Sequence, residues 1–142
     1  MTENVIPLDA FNVSDFELED TAVLTVQNAA GTGDLIHRGK PVTIELYGSG
    51  SREAVRAMHK AGQSAQLRLQ ALMRGKVDPK AAEKADEEMV EKLAACTKAV
   101  VNFPIEGGAR AIYANPKLGY ITKQVVRFLD DDANFAKASS GS

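Results

Sequence analysis

The segment Pro41 to Ser51, PVTIELYGSGS, constrains the fold of this chain more than any other. Val42, Ile44 and Leu46 alternate with Thr43, Glu45 and Tyr47, so an extended backbone puts three large aliphatic side chains on one face. Gly48, Ser49, Gly50 and Ser51 then end the strand, with Ser51 or Ser49 as N-cap of a helix and Glu53 in its first turn. A strand with one apolar face, followed at once by a helix, needs helices to cover that face. Thr21 to Asn28, TAVLTVQN, repeats the alternation, Ala22, Leu24 and Val26 against Val23, Thr25 and Gln27, and predicts an antiparallel partner. Between them Gly31, Gly33 and Gly39 suit a long or twisted hairpin, with room for a short extra strand around Leu35 to His37.

Periodicities of three and four take over after Ser51. Val55, Met58, Gly62, Ala65, Leu69 and Leu72, widened by Leu67 and Met73, predict the buried stripe of a long helix that Gly75 ends. Asp78-Pro79 opens a second helix, because Asp can cap free N–H groups and Pro loses no hydrogen bond at the first position. Its inner face reads Ala82, Ala85, Met89, Leu93, Cys96, Val100 and Phe103, with Pro104 forcing the exit, and it should lie antiparallel to the first helix. Ala109 to Tyr113 suits a short helical stretch after Gly107-Gly108. A last helix follows Asn115-Pro116, with Ile121, Val125, Phe128 and Phe135 at helical spacing. The predicted class is α+β: an N-terminal antiparallel β-hairpin or small sheet packed on a bundle of three to four α-helices. The predicted organisation is a partly ordered arm over 1–20, one domain over 21–135 and a disordered tail over 136–142.

Composition narrows the function. A chain of 142 residues with 25% charged residues and a net charge of −2 can bury a core without staples and lacks the basic excess of a bulk polyanion binder. One cysteine, Cys96, permits no internal disulfide and no Cys-rich zinc site. The start of the chain has no basic segment leading into an apolar run, and no stretch approaches a membrane span, so a cytosolic protein with no membrane partner is expected.

Individual residues point away from catalysis. Gly31-Thr32-Gly33-Asp34 lacks the third glycine of a dinucleotide turn and the Gly-Lys-Ser/Thr of a phosphate loop, and no helix should begin just after it. His37 and His59 have no metal-ligand spacing, and Cys96 falls on an apolar stripe as a small hydrophobe. Glu83, Asp86, Glu87, Glu88 and Glu91, and Asp130 to Asp132, read as solvated runs without the apolar setting that separates an acid from a base. No catalytic residue, cofactor site or metal site is expected, and the protein is read as a non-enzyme. The first helix does carry a charge asymmetry: Arg52, Arg56 and Lys60 share a face, Arg68 and Arg74 follow, and Glu53 is its only carboxylate. Arg52, Arg56, Lys60 and Arg68 form a candidate charged contact face, best satisfied by pairing with the acidic second helix, next by an acidic protein, and only then by nucleic acid.

The order of these pieces resembles the tail assembly chaperones of long-tailed bacteriophages. The matching stretches are PVTIELYGSGSREAVRA from Pro41 to Ala57, EEMVEKLAACTKAVVNF from Glu87 to Phe103, and NPKLGYITKQVVRFLDDDANFAKAS from Asn115 to Ser139. Gly48 with Ser51, Phe103, Tyr120, Lys123, Gln124 and Asn134-Phe135 carry the likeness, which covers about two thirds of the chain. The resemblance implies a protein of the host cell cytoplasm that binds the apolar helices of the tape measure protein, keeps them soluble and recruits tail tube subunits. It makes Met58, Leu69, Leu72, Met73, Met89, Tyr120, Ile121, Gln124 and Phe128 the candidate partner-binding residues, and it is compatible with a homo-oligomer. A structural tail or head-tail joining subunit, retained in the virion as a ring, is the alternative.

Overall fold

The computed structural model describes residues 11–137; the predicted behaviour of residues 1–10 and 138–142 lies outside the described residues. The described chain is α+β. Strands β1 (Thr21–Thr25), β4 (Thr43–Tyr47) and β5 (Thr97–Val101) form an antiparallel sheet in the order β1-β4-β5, and β2 (Ile36–His37) pairs with β3 (Lys40–Pro41) in the β1-to-β4 connection. The helices are α1 (Arg52–Met73), α2 (Ala81–Ala95), α3 (Gly108–Ala114) and α4 (Gly119–Asp130). The β2–β3 turn is Arg38-Gly39, both at positive φ, which matches the twist of a two-residue hairpin loop.

The alternation read from the sequence sets the register. Leu24 faces Ile44 and Val23 faces Glu45, so the apolar sides of β1 and β4 coincide. Val26, Val42, Ile44 and Leu46 are buried against Leu93 of α2, Ile112 and Tyr113 of α3, Ile121 and Val125 of α4, and Phe135. Among the described residues, Val23 and Val101 are exposed on the other sheet face.

The third strand corrects the predicted second helix, which ends at Ala95 instead of reaching Phe103. Thr97, Val100 and Val101 are β-branched, and the free edge of β4 offers them a ladder that a longer helix could not use. Leu46 faces Thr97 and Glu45 faces Ala99, so Lys98 is bulged out, 3.8 Å from the Glu45 carboxylate. Thr97 Oγ bonds the Leu93 carbonyl at 2.8 Å and the Tyr113 hydroxyl at 2.7 Å, tying the strand start to α2 and α3. Asn102, at φ 64°, ends the strand, and its side-chain amide donates to the carbonyls of His37 and Lys40 at the β2–β3 hairpin.

Phe135 corrects the predicted last helix. It sits on a separate 3-10 turn, Asp132–Phe135, after α4 stops at Asp130, and reaches the core from there. The described part of the arm docks beside it: Glu19 N–H donates to the Phe135 carbonyl at 2.7 Å, and Phe11 stacks on Phe16 at 5.5 Å. Gly48 is required here by space. A Cβ on it would stand 2.8 Å from the Phe135 ring and 2.9 Å from the Glu19 carbonyl oxygen.

Urea unfolding should therefore rank three substitutions. Ile44→Ala should cost about 2–5 kcal/mol as a core truncation, and Gly48→Ala about 1–3 kcal/mol by forcing Phe135 and the arm apart. Gly50→Ala, which meets nothing, should stay within about 0.5 kcal/mol of the parent.

Candidate partner-binding site

The α1–α2 hairpin is where the structure departs most usefully from the sequence pattern. Ser51 caps α1, its Oγ accepting from Ala54 N–H at 3.1 Å and donating to the Gly48 carbonyl at 2.7 Å. The face that α1 turns inward is not the large apolar row. Ala54 and Ala57 are buried with Cys96, and Ala61, Ser64, Arg68 and Ala71 continue that line at half-burial. Opposite them α2 presents Ala81, Ala85, Glu88, Lys92 and Ala95, short or charged side chains set against the alanine line of α1.

The predicted stripe is therefore outside. Val55, Met58, Leu69 and Leu72 are each more than half exposed, and Met73 is 79% exposed. The antiparallel arrangement of α1 and α2 was expected and is present, Arg68 pairing with Glu88 while Ala57 and Ala95 line one cleft nearer the sheet. Among the described residues that is the one ion pair joining the two helices. Of the candidate charged face, Arg68 is turned inward to Glu88, and Arg52, Arg56 and Lys60 fan into solvent.

Between the hairpin and the body lies an apolar cleft of about 340 Å³. Met58 and Met89 form its lips, Ala54, Ala61, Ala85 and Leu93 its sides, and Tyr47, Cys96, Val126 and Leu129 its floor and far wall. Ser49, Asp130, Lys92 and the Arg68–Glu88 pair are its polar margin. A second hollow of about 610 Å³ separates the outer halves of α1 and α2, lined by Leu67, Leu69, Ala71 and Leu72. At its end Asp78 accepts from Lys80 N–H at 2.9 Å and pairs with Lys84 at 2.6 Å; the Lys84 hydrogen bond holds the exposed Asp78 carboxyl below its ordinary range.

The candidate partner-binding residues divide accordingly. Met58, Leu69, Leu72, Met73 and Met89 lie on the exposed helical surface of the hairpin. The α4 group is engaged within the fold. Ile121 is 1% exposed in the core, Tyr120 packs against that core, and the Phe128 ring meets Phe135 edge-on at 5.4 Å. Gln124 clamps the end of β1: its carbonyl oxygen accepts from Gln27 N–H at 2.7 Å and its amide donates to the Gln27 carbonyl at 3.0 Å. Asn134 likewise donates to the Phe128 carbonyl at 3.0 Å and closes the end of α4. The residues that sequence reasoning missed as lining are Tyr47, Val126 and Leu129. Each sits at a strand end or a helix margin, where periodicity assigns no face.

The cleft has the chemistry of a receptor for apolar side chains. The Cys96 thiol that lines it is buried, and that burial pushes its pKa above the ordinary 9.0. Among the described residues no three His, Cys, Asp or Glu side chains are placed to hold a metal, and no helix is long and apolar enough to cross a membrane. No protein-family model matches the chain, and neither the curated proteins nor the solved structures contain a match.

Burial also raises the Tyr113 hydroxyl above its ordinary 10.0. Both groups ionise more readily once unfolded, so their contribution to stability is complete below pH 9.0 and should be lost as pH rises above it. The urea midpoint should therefore fall as pH is raised above 9.0, where the unfolded thiol and then the unfolded phenol ionise before their folded counterparts. Iodoacetamide at pH 8, below about the ordinary thiol pKa, should modify Cys96 only in denaturant.

Proposed function

We propose that this protein is a tail assembly chaperone of a long-tailed bacteriophage, which binds apolar helices of the tape measure protein in the host cell cytoplasm and brings tail tube subunits to them. The observation that carries the reading is the methionine-lipped cleft between α1, α2 and α4, together with the resemblance of the Pro41, Glu87 and Asn115 stretches to that family. An unbranched thioether side chain re-packs around differently shaped apolar knobs, so methionine lips suit a receptor for many related helical segments. Such segments aggregate when left uncovered, and a chaperone need only cover them without turnover.

Met89→Glu is the discriminating variant, because Met89 is exposed on α2 and its substitution leaves the core untouched. Co-expression of the wild-type chain with a tape measure fragment should raise the fragment's soluble fraction and the two should co-purify. Met89→Glu should lower the recovery by roughly tenfold, as expected when a charge is placed in an apolar anchor pocket. No solubilisation by the wild type overturns the reading. The competing reading, a joining subunit retained in the virion, predicts stoichiometric amounts in purified particles by mass spectrometry, where a chaperone is absent or trace.

A further inference from the structure

We propose that the outer face of α1 is closed by a second copy of this chain, the two α1 helices packing antiparallel about a two-fold axis. The row Val55, Met58, Gly62, Ala65, Leu69 and Leu72 steps by three and four along the helix. It lies about 100° around the helix from the alanine row that faces α2, so pairing with α2 leaves its large side chains more than half exposed.

The row is complementary to itself reversed. In an antiparallel pair, Val55 meets the partner's Leu72, Met58 meets the partner's Leu69, and Gly62 meets the partner's Ala65, all in one register. Branched and long side chains meet at both ends, while the smallest residues meet in the middle, where two crossing helices come closest. An isologous interface requires this kind of match between a surface and its own two-fold image.

Charge and area favour the same occupant. The residues flanking the row are His59 and Gln66 on one side and Ala61 on the other, and in this register His59 meets the partner's Gln66 and Ala61 meets the partner's Arg68. No like charges oppose each other. Arg56 and Lys60 point away from the row, while Arg52, seven residues before His59, flanks its first turn and in this register meets the partner's Met73. The seam runs for about 26 Å on each helix, and with its large side chains more than half exposed it removes roughly 1,200 Å² from water over both copies, the lower bound of a standard interface. The alternative of seating α1 on a second copy's α2 leaves the row largely uncovered, since Met89 is the one large apolar side chain exposed on that helix. Of the row, Met58 alone also lines the client cleft, so the test substitutions are placed at Val55 and Leu72, outside it, and the proposal does not rest on the client reading.

Sedimentation equilibrium of the full chain, with helicity followed by circular dichroism, tests the interface and its direction together. The wild type should be dimeric at about 100 µM, within the range a small apolar interface reaches. Val55→Glu and Leu72→Lys, each at an exposed position, should keep wild-type helicity and each weaken self-association by roughly tenfold or more. The double variant should recover the dimer, because the antiparallel register sets each introduced Glu against an introduced Lys, whereas a parallel pair sets like charges together. A monomeric wild type, single variants that dimerise as the wild type does, or a double variant weaker than either single each overturns the proposal.

Discussion

The structure depends on burial of one face of β4. Val42, Ile44 and Leu46 are the most enclosed run in the described chain, and α2, α3, α4 and Phe135 all contribute to the core around them. β1 and β5 flank the strand and satisfy its backbone on both edges, while α4 and Phe135 cover its side chains. Phe135 comes from more than eighty residues downstream in sequence, and Gly48 at the end of β4 has no side chain so that the ring and the Glu19 carbonyl can close over that end. The serine that follows caps α1, so the point where the sheet is sealed also fixes where the helical hairpin departs.

The hairpin then follows a different economy of surface. α2 needs its large residues, Val90 and Leu93, for the body, so what it offers α1 is alanine, glutamate and lysine. Alanine on α1 is the side chain that fits such a neighbour, and the methionines, leucines and valine of α1 are turned outward as a consequence. The helical surface left uncovered has two parts with different shapes. The cleft, with its methionine lips, is concave and suits an inserted side chain; the α1 row is convex and suits another helix.

Much of this was legible in the residues. The strict alternation at Thr21–Thr25 and Thr43–Tyr47 specifies both strands, their faces and their pairing. Ser51 and Gly75 mark the ends of α1 through chemistry that operates within a few residues, whereas α2 starts at Ala81, two residues after Pro79, with Asp78 accepting from Lys80 N–H in the turn before it. The Gln124 and Asn134-Phe135 positions, singled out for their resemblance to a family pattern, have structural work in the fold: a clamp on β1, a helix terminus and a core plug. The strand Thr97–Val101 was obscured because it follows a helix without a break, and Cys96, Val100 and Phe103 happen to continue the helical spacing. The β-branched cluster Thr97, Val100 and Val101, closed by Asn102, was the available signal.

Local chemistry by itself determined the α+β class, the paired strands and the start of α1, because each follows from neighbours within a turn or a hairpin. Tertiary structure alone decided which of two parallel rows on α1 is buried. Both rows step by three and four, the inner one alanine interrupted by Ser64 and Arg68, so the periodicity is the same for each. The alanine, glutamate and lysine that α2 presents lie against the alanine row, and that arrangement leaves the larger one facing outward.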